Sequence, residues 1–340
     1  MGPLKIEKLN LFKSRVILNF ATIFFSLIVA FAILEITLRL FDPVGIEYFV
    51  EVRRYFDSMQ YNDNYSYIHR PGYTGVLQGV KVTINSQGFR GPEFNIKKSG
   101  QRIRILVLGD SVVLGWGVPQ SDIFPLQLQN MLKNLRDNIE VIPAGVGSWN
   151  TRTEYEYLQA KGVDFAPDIV VHLITSNDIN PKKSGHTDIS KKKLFGEQYA
   201  SSDEIVSKFT RDVVYRSYLL SFIQYYLKRH YLINHQIAAD YSSPSWKDAE
   251  LALNGIVELC LQRNIIYIPF LYGTSESIHM DPVMKLYLDY FAGNDIEYIY
   301  MLDDRIFDRQ FTNTSVDVHP NSKGHRLLAE RIYAHLMPLL

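Results

Sequence analysis

The feature that most constrains the fold is the alternation of apolar and amphipathic runs from residue 102 to the end of the chain. Five apolar runs read RIRILVLGD, IEVIPAG, PDIVVHLIT, NIIYIPFLYG and IEYIYML. Most lack strict polar alternation, which is typical of parallel strands covered on both faces. The alternation predicts the α/β class, as a three-layer αβα sandwich with about five parallel strands. Ligands bind such sheets at the carboxyl ends of the strands.

The segments between these runs show helical spacing. Five apolar side chains recur on one face after the first run: Phe124, Leu128, Met131, Leu132 and Leu135. The stretch Thr151–Glu154 has the form of a capping box, which predicts the start of a second helix. Near the C-terminus, Leu328, Ile332 and Leu336 recur every fourth residue, which predicts a final helix with one apolar face.

The N-terminal segment predicts a membrane anchor. Val16–Leu34 carries no charge over 19 residues, and at about 1.5 Å per residue it covers most of a hydrocarbon layer about 30 Å thick. The preceding charges are mostly basic: Lys5, Lys8, Lys13 and Arg15 against Glu7. We therefore expect a cytoplasmic tail at 1–15, a transmembrane anchor at 16–38 and an exported body, periplasmic in a Gram-negative cell. The lipid bilayer is then a partner of the chain.

Two alternatives stay open for this segment. Ala30–Ala32 has the small-residue form of a signal-peptide cleavage site, although the apolar stretch exceeds the usual length of about 7 to 15 residues. A buried core helix is the other alternative, and the apolar character all round the segment suits lipid better.

The rest of the chain divides into a lead-in and one large domain. We expect an ordered lead-in at 39–100, with a strand at Val80–Ile84 and a turn at Asn85–Gly88. The domain at 101–340 is interrupted at about 179–245 by a polar stretch and a run rich in tyrosine and leucine. This insertion is interpreted as a helical lid, with an aromatic platform for sugar rings or a surface resting on the membrane interface as alternatives.

Composition excludes several classes of function. The 36 basic and 36 acidic residues balance, so a nucleic-acid partner has no electrostatic support. Cys260 is the only cysteine; it is expected to be a buried apolar side chain, and neither a disulfide nor a cysteine-based metal site is possible. The histidines and acids show no zinc spacing, and we expect no metal and no cofactor.

Four polar loops follow the predicted strands. Ser111 ends the first strand, Gly145–Ser148 the second and Ser176–Asp178 the third, while Val316–Asn321 precedes the last helix. All four are expected to converge at one rim of the sheet.

Together these residue types suit nucleophilic acyl chemistry. A serine hydroxyl needs a neighbouring histidine as base and a carboxylate that orients the ring, and His319 and Asp317 supply both. The developing oxyanion needs donors already aimed at it. The expected donors are the backbone N–H of Ser111, a backbone N–H from the turn at Gly147 and Ser148, and the side-chain amide of Asn177.

The blocks resemble those of the SGNH or GDSL hydrolases. They are Gly109-Asp110-Ser111, Gly147-Ser148, Asn177-Asp178 and Asp317-His319, in the family's order over roughly residues 102–335. The resemblance implies a flavodoxin-like SGNH fold and a serine esterase or O-acyltransferase with an acyl-serine intermediate. The lead-in NSQGFRG and the single anchor resemble a bacterial, membrane-tethered branch associated with envelope glycans. The implied partners are an acyl ester substrate, such as an O-acetylated glycan, and envelope glycan machinery.

Two positions depart from the family pattern. Members commonly carry the acid three residues before the histidine, where this chain has Val316, whereas Asp317 lies two before His319. Either the loop is shortened, or Asp317 points away and a Ser-His dyad remains. Ser148 stands where the family has its glycine, which is acceptable for a backbone donor if its φ and ψ permit.

The same residues also have plausible structural roles. Ser111 is also a plausible helix N-cap, Asn177 a turn residue and His319 a surface histidine beside proline. His325 is expected to face solvent or cap the last helix, and His172 to be a satisfied core histidine. At the level of function, a lipid esterase with an apolar acyl trench and a non-catalytic glycan-binding or assembly protein remain as alternatives.

Overall fold

The computed structural model describes residues 3–42, 55, 58–179, 216–233, 243–302, 304–314 and 317–340. The chain begins with a long helix, α1 (Pro3–Phe41). Two antiparallel hairpins follow, formed by β1 (Met59–Asn62) with β2 (Ser66–His69) and by β3 (Thr74–Leu77) with β4 (Val80–Thr83). The predicted strand at Val80–Ile84 is therefore present, one residue shorter.

The five apolar runs form one parallel sheet, as predicted. Its strands are β5 (Ile103–Gly109), β6 (Ile139–Gly145), β7 (Ile169–Ile174), β8 (Ile266–Thr274) and β9 (Ile299–Met301). The spatial order is β6-β5-β7-β8-β9, and every neighbouring pair is parallel. This is the flavodoxin-like order, in which the direction of winding reverses beside the first strand of the sheet. The crevice at that reversal lies between the ends of β5 and β7.

Helices alternate with these strands along the chain. They are α2 (Ser111–Leu114), α3 (Phe124–Lys133), α4 (Thr151–Ala160), α5 (Tyr218–Ile233), α6 (Pro244–Gln262), α7 (Ser275–Met280), α8 (Pro282–Gly293) and α9 (Ser322–Leu336). Short 3-10 turns lie at Gln120–Asp122, Gly162–Phe165, Asp304–Phe307 and Met337–Leu339. The predicted spacing of α3 is confirmed at Phe124, Leu128 and Leu132, which are fully buried, whereas Leu135 lies beyond the end of the helix and is exposed.

The sheet has helices on both faces, which completes the predicted three-layer sandwich. On one face, α3 and α9 cover alternate strand residues such as Ile105 and Val107. The expected stripe of Leu328, Ile332 and Leu336 is fully buried there. On the other face, α4 and α6 cover Leu106 and Leu108. A buried leucine stabilises the fold by about 1.5–3 kcal/mol, so the two faces together account for much of the driving force.

The lead-in packs into the same core as the sheet. Tyr65 and Tyr67 of the first hairpin and Phe89 share a cluster with Leu106 and Trp149. The Tyr65 and Phe89 rings meet Tyr157 of α4 edge-on, with centroids 5.0 and 5.3 Å apart. Burial of this kind ties the hairpins to the face of the sheet that carries α4.

The N-terminal helix has the properties predicted for a membrane segment. Within the described part of the chain, Arg15–Phe41 is the one helix long and apolar enough to cross a bilayer. None of its most apolar window is buried by the rest of the chain. This finding contradicts the buried-core-helix alternative, because such a helix would be covered on its apolar sides.

The insertion at 179–245 is described only in part. Within the described residues it contributes α5 and the start of α6, and the polar stretch predicted after Asp178 lies outside them. Cys260, as expected, is free and buried; it lies on the covered face of α6.

The predicted capping box at Thr151–Glu154 is wrong. Asn150 is the N-cap of α4, and its side-chain oxygen accepts the Thr153 backbone N–H at 2.9 Å. Glu154 instead turns inward and is fully buried, with its Oε2 2.8 Å from His172 Nε2. Asparagine is as good an N-cap as serine or threonine. The Glu154 side chain is therefore not needed in a capping box and pairs with a core histidine.

Candidate active site

Ser111 lies at the sharp turn where β5 becomes α2. Asp110 is the N-cap of this short helix, and its Oδ1 accepts the Val112 N–H at 2.9 Å. A Cβ on Gly109 would lie 2.5 Å from Val113 Cγ2 and 3.0 Å from the Leu173 carbonyl oxygen, so only glycine permits the turn. The N-cap interpretation of Ser111 is therefore wrong, since Asp110 has that role and leaves the Ser111 hydroxyl available.

The Ser111 hydroxyl lies against the imidazole of His319. Oγ is 2.8 Å from Nε2, and on the other side of the ring Nδ1 is 2.6 Å from Asp317 Oδ1. The carboxylate accepts the Nδ1 proton, which leaves Nε2 as the acceptor for the serine proton. Ser111 and His319 are 208 positions apart in sequence. The structure thus brings the three predicted side chains together as a continuous hydrogen-bonded chain.

Asp317 is held by a tight turn of its own loop. Oδ1 also accepts the His319 backbone N–H at 3.2 Å, and the Asp317 N–H donates to Thr314 Oγ1 at 2.9 Å. An aspartate that bonds the backbone N–H two residues ahead forms an Asx turn. The loop is therefore the shortened one of the two alternatives, and Asp317 contacts the ring. Val316 lies outside the described residues.

Asn313 connects this loop to the serine loop, and the sequence analysis did not single it out. Its Nδ2 donates to Asp317 Oδ2 at 3.1 Å and to the Trp116 carbonyl at 2.9 Å. Its backbone N–H donates to the His319 carbonyl at 2.9 Å. A Cβ on Gly117 would lie 2.4 Å from Asn313 Nδ2, so any larger residue at this position would collide with the Asn313 amide. Asn313 was not predicted because a residue that joins two loops through hydrogen bonds belongs to no short sequence motif.

Asn177 lies across the crevice from this loop, beside Asp110. Its Nδ2 donates to Asp110 Oδ2 at 3.1 Å, and its Oδ1 accepts the Thr175 hydroxyl at 2.6 Å. These bonds fix the orientation of the amide, which carries two hydrogens. Asn177 is nevertheless exposed, so its amide can also meet a substrate. Asp178 is buried and accepts the Thr175 N–H at 2.7 Å, which closes the turn.

The glycine turn lies next to the serine because Gly109 and Gly145 are partners in the parallel register. A Cβ on Gly145 would lie 2.5 Å from the Leu114 nitrogen. Ser148 has a φ of +65°, in the left-handed region that usually favours glycine. Ser148 therefore has a φ that glycine adopts readily, at the position where the family has its glycine.

Gly147 is enclosed by two tyrosines of the lead-in. The Tyr67 hydroxyl donates to the Gly147 carbonyl at 3.3 Å. Burial raises the pKa of Tyr55 well above its usual value, while a backbone hydrogen bond from Gly147 opposes that rise. A Cβ on Gly147 would lie 2.3 Å from the Tyr55 hydroxyl. Of the two predicted turn donors, Gly147 is thus already engaged with Tyr55.

Arg90 braces the loop after the serine helix, and it comes from the lead-in stretch NSQGFRG. The guanidinium is buried and donates to the carbonyls of Gly115 at 2.5 Å and Val118 at 2.6 Å. Burial lowers the pKa of Arg90 to about 10. The lead-in therefore supplies a structural support for the site, a role that the sequence pattern alone does not indicate.

The prediction for His325 is wrong. His325 is fully buried, stacks on Phe124 with ring centroids 5.9 Å apart, and its Nδ1 accepts the Phe124 backbone N–H at 3.1 Å. The first N–H groups of a helix lack intrahelical acceptors, and His325 satisfies one of them at the start of α3. Burial lowers the pKa of His325 to about 3.

His172 is a satisfied core histidine, as predicted. It is fully buried, with Nε2 2.8 Å from Glu154 Oε2 and Nδ1 2.8 Å from the Tyr267 hydroxyl. Burial lowers the pKa of His172 to about 3 and raises that of Glu154 well above its usual value. The two side chains therefore pair as neutral groups.

Four blocks now lie where the resemblance places them. A serine turn after β5, a glycine turn after β6 and an Asn-Asp turn after β7 share one edge of a sheet with the flavodoxin-like order, and the Asp-His loop reaches the serine. The chain has the fold of the SGNH hydrolases. Across the described residues, no group of three or more histidines, cysteines and acids is placed to hold a metal ion.

Comparisons with known proteins give low identities. No protein-family profile matches the sequence, and no curated protein matches it significantly. Among solved structures, a two-domain esterase (CEX) active on acetylated mannans is 14% identical, with a TM-score of 0.43. That match covers 71% of this chain and 50% of the esterase, so the chain spans half of its length.

Two further solved structures are matched over nearly their full length. The psychrotrophic esterase EstA from Pseudoalteromonas sp. is 13% identical, with a TM-score of 0.44, covering 69% of this chain and 97% of that one. A lipase/acylhydrolase from Enterococcus faecalis is 13% identical, with a TM-score of 0.39, covering 70% and 97%. At these identities the likeness concerns the fold alone.

Proposed function

We propose that the protein is an SGNH-type serine acyl hydrolase. The observation that supports this proposal is the chain of contacts from Ser111 Oγ through His319 to Asp317, at 2.8 and 2.6 Å. A buried acid, a ring in one tautomer and a hydroxyl at a sheet rim are the groups that nucleophilic acyl transfer needs.

The reaction proceeds in two steps. Ser111 Oγ attacks the ester carbonyl while His319 Nε2 takes its proton, and the carbonyl oxygen becomes an oxyanion. The tetrahedral intermediate collapses as His319 returns the proton to the departing alkoxide, which leaves an acyl-serine and a free alcohol. Water then attacks the acyl-serine with His319 as base, releasing the acid and restoring Ser111. Asp317 remains ionised and stabilises the imidazolium in both steps.

Three donors are proposed for the oxyanion. The Ser111 N–H belongs to the first turn of α2 and has no intrahelical acceptor. The second donor is the side-chain amide of Asn177, which has another hydrogen besides the one that it donates to Asp110. For the turn donor we propose Ser148 in place of Gly147, because the backbone of Gly147 bonds Tyr55. Removal of one such donor costs about 2.7–4 kcal/mol in barrier height.

The proposed location is the outer face of a membrane. The anchor is α1, with its basic N-terminal side in the cytoplasm and the catalytic domain exported. The support for this is the apolar Arg15–Phe41 helix, whose most apolar window the rest of the chain does not cover.

The proposed substrate is an O-acyl group, in particular O-acetyl, on an envelope glycan. Asn177 is exposed and Ser111 half-buried, so the reacting groups lie at an open rim. An open rim suits a short ester projecting from a bulky polymer. Transfer to a second sugar hydroxyl in place of water uses the same acyl-serine, and envelope glycan machinery would then supply the acceptor.

Covalent labelling tests the enzymatic role. The full-length protein in detergent is treated with a serine-directed fluorophosphonate, and the modified peptide is mapped by mass spectrometry. We expect labelling at Ser111 that is lost in Ser111→Ala and His319→Ala and retained in Ser176→Ala, whose serine is exposed after the neighbouring strand β7. Absence of label from protein with a cooperative thermal transition would overturn the proposal and favour a non-catalytic glycan-binding role.

A substrate series tests the acyl group. Initial rates on nitrophenyl acetate are compared with rates on octanoate and palmitate esters, and acetate release is measured from an O-acetylated polysaccharide. A preference for acetate supports the proposal, whereas a preference for long acyl chains supports the lipid esterase alternative.

A further inference from the structure

The end of the membrane helix is joined to the insertion through Glu35. Its carboxylate accepts the backbone N–H groups of Tyr218 at 3.0 Å and Leu219 at 2.9 Å, and the Ser217 hydroxyl at 2.7 Å. These are groups of the first turn of α5, and a carboxylate at a helix N-terminus satisfies its orphan donors and its positive dipole end. Glu35 thus caps a helix more than 180 residues further along the chain.

Arg39 strengthens this junction. Its Nε donates to Glu35 Oε1 at 2.7 Å, and its Nη2 donates to the Arg216 carbonyl. The guanidinium also lies over the Tyr218 ring, 4.9 Å from the centroid. Two charged residues one turn apart on α1 therefore both bind the start of α5.

The depth of the junction follows from the sequence of α1. Val16–Leu34 is free of charge, and these residues at about 1.5 Å each nearly fill the hydrocarbon layer. Glu35 is the next residue, so it lies where hydrocarbon gives way to headgroups. The N-terminus of α5 is fixed to Glu35 and is therefore at the same depth.

The composition of α5 suits that depth. The helix has 16 residues, about 24 Å, which is too short to cross a bilayer. Its sequence, YLLSFIQYYLKRHYLI, combines aromatic and aliphatic side chains with basic residues, and tyrosines concentrate at membrane interfaces. Ile223 is 45% exposed and Tyr226 46% exposed, one turn apart, whereas Ser221 on the opposite side is buried. Leu219, one turn before Ile223 on the same side, is buried, so the exposed face among the described side chains begins at Ile223.

We propose that α5 lies on the outer surface of the bilayer, with Ile223 and Tyr226 facing lipid and Glu35 fixing it to the anchor. This inference rests on the proposed membrane location and not on the proposed hydrolase activity. The bilayer is the occupant of this face because α5 is capped by Glu35 of α1, the helix that enters the bilayer. The insertion is then a second membrane contact that sets the orientation of the catalytic domain.

Depth measurements with nitroxide labels test the proposal. Full-length protein carrying Ile223→Cys or Tyr226→Cys is labelled and placed in vesicles of phosphatidylcholine and phosphatidylglycerol. Native Cys260 is buried, and burial raises its thiol pKa to about 12, so it does not compete for the label. Ile23→Cys in α1 serves as the lipid reference, and Leu261→Cys, which is 73% exposed on the catalytic domain, serves as the aqueous reference.

The expected result is that dissolved oxygen relaxes the labels at 223 and 226 more strongly than a nickel chelate does, as at 23 and unlike at 261. Labels at 223 and 226 that behave like the one at 261 would overturn the proposal. Protection from both relaxants would indicate a protein partner and overturn it as well. An aqueous label at 23 would overturn the anchor itself, and with it the inference.

The role of Glu35 is tested in the same vesicles. Glu35→Ala removes both acceptor oxygens, and we expect the label at 223 to shift towards water. Glu35→Gln keeps one acceptor and should shift it less. An unchanged label depth in Glu35→Ala would contradict the capping role. Fluorophosphonate labelling of Ser111 in these variants reports separately on the proposed hydrolase, since Glu35 is not part of its machinery.

Discussion

Asp317 and His319 are in direct contact although only Val318 separates them, with Oδ1 2.6 Å from Nδ1. The contact is possible because the same oxygen accepts the His319 backbone N–H and so closes an Asx turn. Val318 is left pointing outward, 68% exposed. A spacing of two therefore allows an aspartate to contact the histidine ring.

The contact predicts the effect of Asp317→Asn. Asparagine cannot hold the ring in the required tautomer or stabilise the imidazolium, so kcat for ester hydrolysis should fall by about 10³- to 10⁴-fold. Steady-state kinetics on an acetate ester measure this. Asp308→Asn, an exposed acid of the same region, is the matched control. A loss below about tenfold would show that a Ser-His dyad suffices.

Asn313 is predicted to position Asp317. Asn313→Ala removes the bonds to Asp317 Oδ2 and the Trp116 carbonyl, and kcat should fall by about 10- to 100-fold, the range for a hydrogen bond to a charged group. Asn313→Asp adds a negative charge near His319, which favours the imidazolium. The acidic limb of the pH profile of kcat/KM, which reports deprotonation of the general base, should then move to higher pH. An unmoved limb would indicate a purely structural role.

Asn177→Ala tests the proposed oxyanion amide. Loss of one donor should lower kcat by about 10²- to 10³-fold while KM changes little, because the bond forms fully only in the transition state. The adjacent and equally exposed Ser176→Ala should keep the full rate. Similar rates for both variants would remove Asn177 from the oxyanion hole.

Ser148→Gly tests whether the donor at this position is the backbone. Glycine adopts the observed φ of +65° without the cost that a side chain imposes there, about 1–2 kcal/mol, so the midpoint of thermal unfolding should rise. The rate of ester hydrolysis should stay within about threefold, since the N–H is retained. Ser148→Ala should keep the rate as well, and a large loss in both would assign the role to the hydroxyl.

The buried histidines predict that acid destabilises the fold. Burial lowers the pKa of His69, His172 and His325 to about 3. Between about pH 6.5 and pH 3 the unfolded chain therefore binds more protons than the folded one, and stability falls as pH falls.

His325→Gln should make the slope of this fall smaller. One histidine contributes up to about 1.4 kcal/mol per pH unit in this window, and the variant removes that contribution while it lowers stability at pH 7.5 through the lost contact with Phe124. Unfolding midpoints between pH 7.5 and 5 measure it. The exposed His279→Gln is the control and should leave the slope unchanged. Equal slopes in all three proteins would contradict the assignment.

The sheet and its functional rim could be predicted from the amino-acid sequence. Strands buried on both faces are continuously apolar, so all five could be recognised, and parallel strands place their following loops at one edge. Ser111, His319, Asp317 and Asn177 were predicted on this basis, and the structure brings them to that edge. The apolar run of α1 could be recognised equally well, because no charge interrupts it over 19 residues.

The contacts between segments distant in sequence could not be predicted and became visible in the three-dimensional fold. Asp317 contacts the ring because its loop forms an Asx turn that Asn313 braces. His325 is buried because it accepts a backbone N–H of α3 that has no acceptor within the helix. The cap of Glu35 on α5 and the support of Arg90 under the serine loop are of the same kind. Periodicity records which face of an element is buried, but a hydrogen bond between two loops needs a distance and an angle that no local pattern encodes.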